Sequence, residues 1–450
     1  MDSSPRQWIR LVHVCYKWRR IVFEAQQALS LRLFCTHGTP VLKTLDCWPG
    51  LPIVLQYGGS LALGRPTPKD EDNMMAALKQ SDRVRSVTLT VTGSLLKKLS
   101  SIETTFSGLE DLILLSRNTV TLTLPSTFRW GPHLRCLHST RITIPALLQH
   151  LYSSENLIDL QLHDFLKPSH FSPEALATAL SGLTRLRSLS LHFLSTTSKY
   201  RASPQPSSLE RAVLPVLTRF SFRGITDYLE GFVVNIDAPR LKNIDVALFD
   251  DSIFGHPKLS KFIDRIDMHN SHRRAYISSS EHAIFISLTQ PGVPTCLKLQ
   301  FLCKSLSVQI WSMARICTDF SAVLSNVVDL HIIATRPSRW LDRLYPETWL
   351  ELLNSFTGVT TLHLDANHWT NVVHAMNLSE QQPKSVLPAL FKLYIHQPKP
   401  RQAPLTEAVL SLMDSRRLCG HPIAVEYERL CHIGTGTTYS LCHHRHSLTR

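Results

Sequence analysis

Histidine is the side chain best suited to chemistry in this sequence. The chain has 22 histidines and 10 cysteines among 450 residues, and imidazole both titrates near neutral pH and binds metals. The densest group is Cys431, His432, Cys442, His443, His444 and His446. A structural zinc site needs four ligands in a closed tetrahedron, usually from two spaced pairs. Cys431 and His432 are adjacent and do not easily reach one ion together, so this stretch reads as a loose tail and no metal site is expected. Nothing else nominates a catalytic centre. The sequence has no G-x-x-x-x-G-K-[ST], no G-x-G-x-x-G after a strand, no G-x-S-x-G elbow and no H-E-x-x-H helix. Gly434-Thr435-Gly436-Thr437 reads as a flexible turn. The expectation is a protein that is not an enzyme and uses no cofactor.

A second set of histidines is placed by a repeat. The unit is apolar-x-x-apolar-x-apolar, starting at Val84, Leu109, Leu134, Leu157, Leu186, Leu217, Leu241, Ile263, Val327, Val359 and Leu390. Successive starts lie 22 to 32 residues apart, with one wider gap between 263 and 327. The fourth and sixth positions of a unit alternate, so both point to one face of a short strand. Val87, Leu112, Leu160, Leu189, Phe220, Ile244, Leu330, Leu362 and Leu393 are the expected core positions. The third, fifth and seventh positions face the other way, and there His138, His163, His192, His269, His331, His363 and His396 recur. Two readings stand side by side. The row is a recognition surface whose charge changes near neutral pH, or exposed strand positions merely tolerate polar rings. Metal binding is set aside, because ligands must converge within ~2 Å of one ion.

One such strand cannot bury its apolar side alone, so neighbouring units must stack and share a core. Helical signals fill the returns. Ser172-Pro173-Glu174 supplies a serine N-cap, a proline at the first helical position and an acid in the first turn. Pro346-Glu347-Thr348-Trp349 repeats the pattern before the strand at Val359. The expected fold is α/β: a leucine-rich-repeat solenoid, a curved parallel sheet with outer helices, preceded by a short helical segment. Within 270–326, Ala283-Ile284-Phe285-Ile286, Leu297-Lys298-Leu299 and Val308-Gln309-Ile310 read as strands of divergent repeats, with an insertion as the alternative. The organisation read from the sequence is a helical segment at 1–30, a connector at 31–75, repeats with a final helix at 76–430 and a disordered tail at 431–450.

The helical segment carries a resemblance. Leu11, Val14, Cys15, Trp18, Ile21 and Val22 recur at three- and four-residue steps, with Arg10, Lys17, Arg19 and Arg20 between them. Trp8-x-x-Leu11-x-x-Val14-Cys15-x-x-Trp18-Arg19-x-Ile21 resembles the second half of an F-box. With Leu51-Pro52-Ile53-Val54-Leu55 after it, the chain resembles the large fungal, mushroom-type families of F-box proteins with diverged leucine-rich repeats. The first half of the F-box has no counterpart in residues 1–7, so the sequence reads as a shortened gene product or a decayed paralogue. The resemblance implies a substrate receptor of a cullin-based ubiquitin ligase. It assigns Leu11, Val14, Cys15, Trp18 and Ile21 to a Skp-type adaptor and the repeats to a target protein. An N-terminal cap over the first repeat is the plainer role for the same helix.

Composition bounds the rest. With 43% apolar and 18% charged residues, the chain holds enough apolar material for a large core. The formal charge of +13 suits nucleic acid, anionic lipid or an acidic protein and does not choose among them. No recognition helix, finger or aromatic-basic module appears, so nucleic acid is not the expected partner. No stretch is apolar enough to span a membrane and no signal peptide is evident, so the expected location is cytoplasmic or nuclear. The target is expected on the concave strand face, through Asp159, Gln161, His163, His192, Arg219, Arg223, His331, His363, Asp365, Tyr394 and His396, with Asp329 beside them. Tyr394 and the arginines are the strongest single positions, since Tyr and Arg are enriched among binding hot spots. A repeat scaffold without ligase coupling is the alternative, and a polyanion binder the third reading.

Overall fold

A computed structural model describes residues 14–24, 30–48, 50–57, 67–101, 105–118, 121–165, 172–193, 211–249, 256–266, 273–280, 283–290, 297–302, 306–334, 346–365, 368–379, 386–397, 407–429 and 446–447. Two compact units make up the chain: 1–221 with 235–238, and 222–234 with 239–450.

The first unit is a stack of strands that all run the same way. They are β1 (Leu31–Phe34), β2 (Ile53–Tyr57), β3 (Val84–Val91), β4 (Asp111–Ser116), β5 (Cys136–Thr140), β6 (Asp159–Phe165) and β7 (Ser188–Phe193). Each pairs in parallel with the next. The fourth repeat positions align across the ladder as Val87, Leu112, Leu137, Leu160 and Leu189. All five are at most 1% exposed. Parallel neighbours need a return on one side of the sheet, and several returns are helical: α2 (Val41–Cys47) follows α1 (Tyr16–Glu24), then α3 (Pro68–Leu78), α4 (Gly93–Leu99), α5 (Leu147–Tyr152) and α6 (Pro173–Leu180). Thr67 and Asp70 form a reciprocal capping box at the start of α3. Ser172 Oγ accepts from the Ala175 N–H at 3.1 Å to start α6, as its sequence predicts. Other returns are extended. Thr105–Phe106 pairs with Arg129–Trp130, and Leu122–Thr123 with Ile142–Thr143. At Gly131 an added Cβ would stand 2.7 Å from the Ser107 carbonyl oxygen, so these extended returns pack at a separation that suits glycine.

Within residues 31–75, read from the sequence as a connector with a possible strand at 52–57, the structure places two strands of the ladder. Leu31, Leu33, Ile53 and Leu55 are buried, and β1 and β2 continue the ladder from β3. The strand missed is β1, whose four residues are too few to show the alternation.

β8 (Arg219–Gly224) falls where the chain passes from the first unit to the second. The second unit contains β9 (Asn243–Leu248), β10 (Arg274–Ser279), β11 (Ala283–Thr289), β12 (Leu297–Leu302), β13 (Asp329–Ala334), β14 (Thr361–Asp365), β15 (Lys392–Gln397) and β16 (Ala424–Arg429). β9 is parallel to β12, and β10 is parallel to β13, which continues in parallel through β14 and β15 to β16. Between these runs β12, β11 and β10 pair antiparallel, which corrects the expectation of an all-parallel sheet. Three residues separate Ser279 from Ala283, too few for a parallel crossover and enough for a hairpin. Two further strand assignments are corrected. Ile263 belongs to the helix Pro257–Asp264, and Val308-Gln309-Ile310 to the helix Leu306–Asp319. Phe220 and Ile244 are buried, and so are Leu330, Leu362 and Leu393. The helices Pro346–Leu353, Trp369–Ser379 and Glu407–Leu418 provide the later returns.

Leu11, His269 and the residues 430–445 lie outside the described residues. Of the expected disordered tail, His446–Ser447 pairs antiparallel with β16. No helix among the described residues is long and apolar enough to cross a membrane.

Candidate functional site

In the second unit, parallel register turns the fifth repeat position into a ladder of rings. Tyr276 aligns with His331, His331 with His363, and His363 with Tyr394. The rings stack at 4.6, 4.1 and 4.5 Å between centroids. His396, two residues beyond Tyr394, brings its Nε2 to 3.2 Å from His363 Nδ1. Asp329 lies at the edge of the stack. Its Oδ2 accepts from Arg274 Nε at 2.7 Å, and its Oδ1 lies 3.1 Å from His331 Nε2 and 3.3 Å from His363 Nε2. Burial pushes the Asp329 carboxyl up, but the two imidazoles outweigh it and hold the group well below the usual carboxylate range. Burial also depresses His331, and it drives His396 down to about 4 with help from His363 and His331.

This ladder corrects the accessibility expected of the face. His331, His363, Asp365, Tyr394 and His396 are each at most 9% exposed. Neighbouring strands lie about 4.8 Å apart, so in-register rings cover one another. Asp365 is engaged below the ladder: its Oδ1 lies 2.5 Å from His368 Nδ1 and accepts the His368 N–H at 3.0 Å. Arg274, Tyr276 and His368 were not legible as site residues. The alternation Arg274-x-Tyr276 on a strand, and the three-residue step from Asp365 to His368, were the signals available.

The first unit carries a more open version. His163 and His192 are paired rungs of β6 and β7, stacked at 4.0 Å, and His138 meets His163 edge-on at 5.1 Å. Ser190 Oγ lies 2.8 Å from His163 Nε2 and 3.2 Å from His192 Nε2. Asp159 accepts from Gln161 Nε2 at 3.2 and 3.1 Å. Burial, followed by the charges of His192 and His138, pushes His163 down to about 4. Arg219 is exposed. Arg85, Arg135 and Arg185, with Glu110, His133, Asn156 and Ile158, line a cleft of about 350 Å³. Arg85 donates to the Gly108 carbonyl and Arg185 to Asn156 Oδ1, both at 3.0 Å. In the second unit Arg223 is exposed, with its guanidinium 5.8 Å from the Phe249 ring centre.

The N-terminal side chains are not packed as the sequence predicts. α1 begins at Tyr16, so Val14 and Cys15 precede it. Val14 is 62% exposed, Trp18 45% and Ile21 46%, and Cys15 is exposed as well. Arg20 and Glu24 form an exposed pair one turn apart at 2.6 Å.

These features define a mixed α/β repeat protein with strands paired largely in parallel within each unit. Compared with known proteins, the chain matches no family profile and no curated sequence. Among solved structures it is similar to the leucine-rich repeat-containing protein LegL7 from Legionella pneumophila, at 13% identity over 91% of this chain and 94% of that one, with a TM-score of 0.24.

Proposed function

We propose that this chain is a protein-binding repeat scaffold without catalysis of its own. In the fuller form of the reading it is the substrate receptor of a cullin-based ubiquitin ligase in the cytoplasm or nucleus. One observation carries the ligase half: Val14, Trp18 and Ile21 are each exposed, on α1 or just ahead of it. Large apolar side chains left in water suit a partner that removes them from it. They are also the residues that the F-box resemblance assigns to a Skp-type adaptor. The target half draws support from the exposed Arg219 and Arg223, and from the arginine-lined cleft, which would suit an acidic segment of a target.

The test is a pull-down of the full chain with a Skp-type adaptor. Wild type is expected to bind, and Val14→Asp with Trp18→Ala to lose binding while the circular dichroism spectrum and melting temperature stay unchanged. Because these side chains are exposed, their replacement should cost within about 0.5 kcal/mol of stability. Wild-type chain that does not retain adaptor leaves a repeat scaffold without ligase coupling. That second reading is favoured by Val14 and Cys15 standing ahead of the helix instead of on it.

A further inference from the structure

We propose that Asp329, His331 and His363 form a binding site for a first-row divalent transition ion, with zinc the leading candidate. Asp329 Oδ1, His331 Nε2 and His363 Nε2 all lie within 4.8 Å of one another. The two oxygen–nitrogen separations are 3.1 and 3.3 Å. A tetrahedral ion with bonds of about 2.0–2.1 Å holds its ligands roughly 3.3 Å apart, so the two carboxylate–imidazole edges match a coordination shell, while the edge between the two stacked rings is set by their orientation. Two imidazoles and one carboxylate suit Zn²⁺ and its neighbours better than Mg²⁺ or Ca²⁺, which prefer oxygen.

The contacts are short charge contacts whose angles fall outside good hydrogen-bond geometry. Asp329 Oδ1 and His331 Nε2 are buried without a hydrogen-bonded partner, and the His331 side chain is only 3% exposed. Buried polar atoms of this kind call for an occupant or a functional reason. The surroundings support the ligands from behind. Arg274 Nε holds Asp329 Oδ2 at 2.7 Å and turns Oδ1 toward the histidines. His363 Nδ1 is 3.2 Å from His396 Nε2. With the proton on Nδ1, donated to His396, His363 Nε2 keeps its lone pair for an ion. Parallel register supplies the rest, since His331 and His363 are paired residues on adjacent strands.

Two features oppose the ion and set what binding must change. The His331 and His363 planes differ by 5°, whereas an ion must lie near the plane of each ring it binds. Both rings therefore turn about their Cβ–Cγ bonds, giving up their mutual stack. The Arg274 charge also lowers the attraction of the site for a cation. Three protein ligands leave a fourth position for water or an incoming donor.

The experiment uses the full chain stripped with a chelator, then titrated with Zn²⁺ by calorimetry and with Co²⁺ by absorption. One saturable site is expected, with cobalt d–d bands and no thiolate charge-transfer band. His331→Ala, His363→Ala and Asp329→Asn should each weaken Zn²⁺ binding by at least about tenfold. Cys431→Ser with Cys442→Ser should leave it unchanged. If an alanine variant fails to fold, Asp329→Asn, which conserves volume, carries the comparison. Unchanged Zn²⁺ affinity in Asp329→Asn, a thiolate band in the cobalt spectrum, or no saturable binding by wild type overturns the proposal.

Discussion

His163 and His192 stand on paired rungs of adjacent parallel strands, their rings 4.0 Å apart and 7° from parallel. Repeats in register bring equivalent residues together, so a histidine kept at one repeat position becomes a column. The face opposite the leucine core thus has packing energetics of its own, and a residue there contributes to stability as well as to recognition. This is clearest in the second unit, where the column is buried.

Burial of imidazole gives a signed pH dependence, shown most cleanly outside the column by His256, which stands just ahead of the helix Pro257–Asp264. It is 3% exposed, and burial drives it down to about 4 although Asp319 opposes the shift. His163 is depressed to about 4 too. The folded state therefore favours neutral imidazole, and between pH 6.5 and about 4 the unfolded chain binds more protons. The contribution to stability is complete above pH 6.5 and falls as pH drops through that window. For a shift of this size, His256 should account for about 2 kcal/mol lost between pH 7 and pH 5. His163, only half-buried, should contribute less. Urea unfolding at the two pH values, for wild type and His256→Gln, measures this. Equal pH slopes in the two proteins would show that His256 is not held neutral.

Tyr394 is expected to behave as a packing residue. Its ring stacks on His363 at 4.5 Å, the Lys392 ammonium lies 4.7 Å from the ring centre, and the residue is 9% exposed. Tyr394→Ala removes a buried ring, which should cost about 3 kcal/mol or more by analogy with large aromatic truncations. Tyr394→Phe keeps the stack and should stay within about 1 kcal/mol of wild type. Denaturant midpoints settle the point, and a Tyr394→Ala protein as stable as wild type would return this residue to the exposed recognition surface.

Much of the fold was legible in the sequence because it depends on local alternation. Leu160 with Leu162 and Leu189 with Leu191 announce strands whose buried face is fixed by a period of two. Ile263 was misread because its neighbours satisfy two periods at once. Leu259, Phe262, Ile263 and Ile266 are all buried, at the three- and four-residue steps of a helix that starts at Pro257. The Asp329 cluster was half legible. His331 and His363 occupy the same repeat position, which predicts pairing if the repeats stack in parallel. Arg274 and Tyr276 join them through the antiparallel hairpin, whose path the repeat period does not encode. Burial of the ring column could not be read from alternation either, since the pattern separates the two sheet faces without saying what covers the second.

The last prediction separates recognition from packing at Arg219 and Arg223. Both are exposed, and they flank Phe220 and Phe222, which are each 1% exposed on the opposite face of the same strand. The chain folds this strand by burying the phenylalanines, so the arginines are free to serve a partner. Arg219→Ala and Arg223→Ala, made one at a time, should leave unfolding within about 0.5 kcal/mol of wild type. Each should weaken target binding by about 2 kcal/mol if it is a hot spot. Leu189→Ala supplies the contrast, with a loss of about 2–5 kcal/mol in stability from a core cavity. Once a target is captured with the full chain, calorimetry on these three variants beside their unfolding curves makes the comparison. Arginine variants that bind the target like wild type, while substitutions in the Arg85, Arg135 and Arg185 cleft weaken it, would move recognition from the strand face to that cleft.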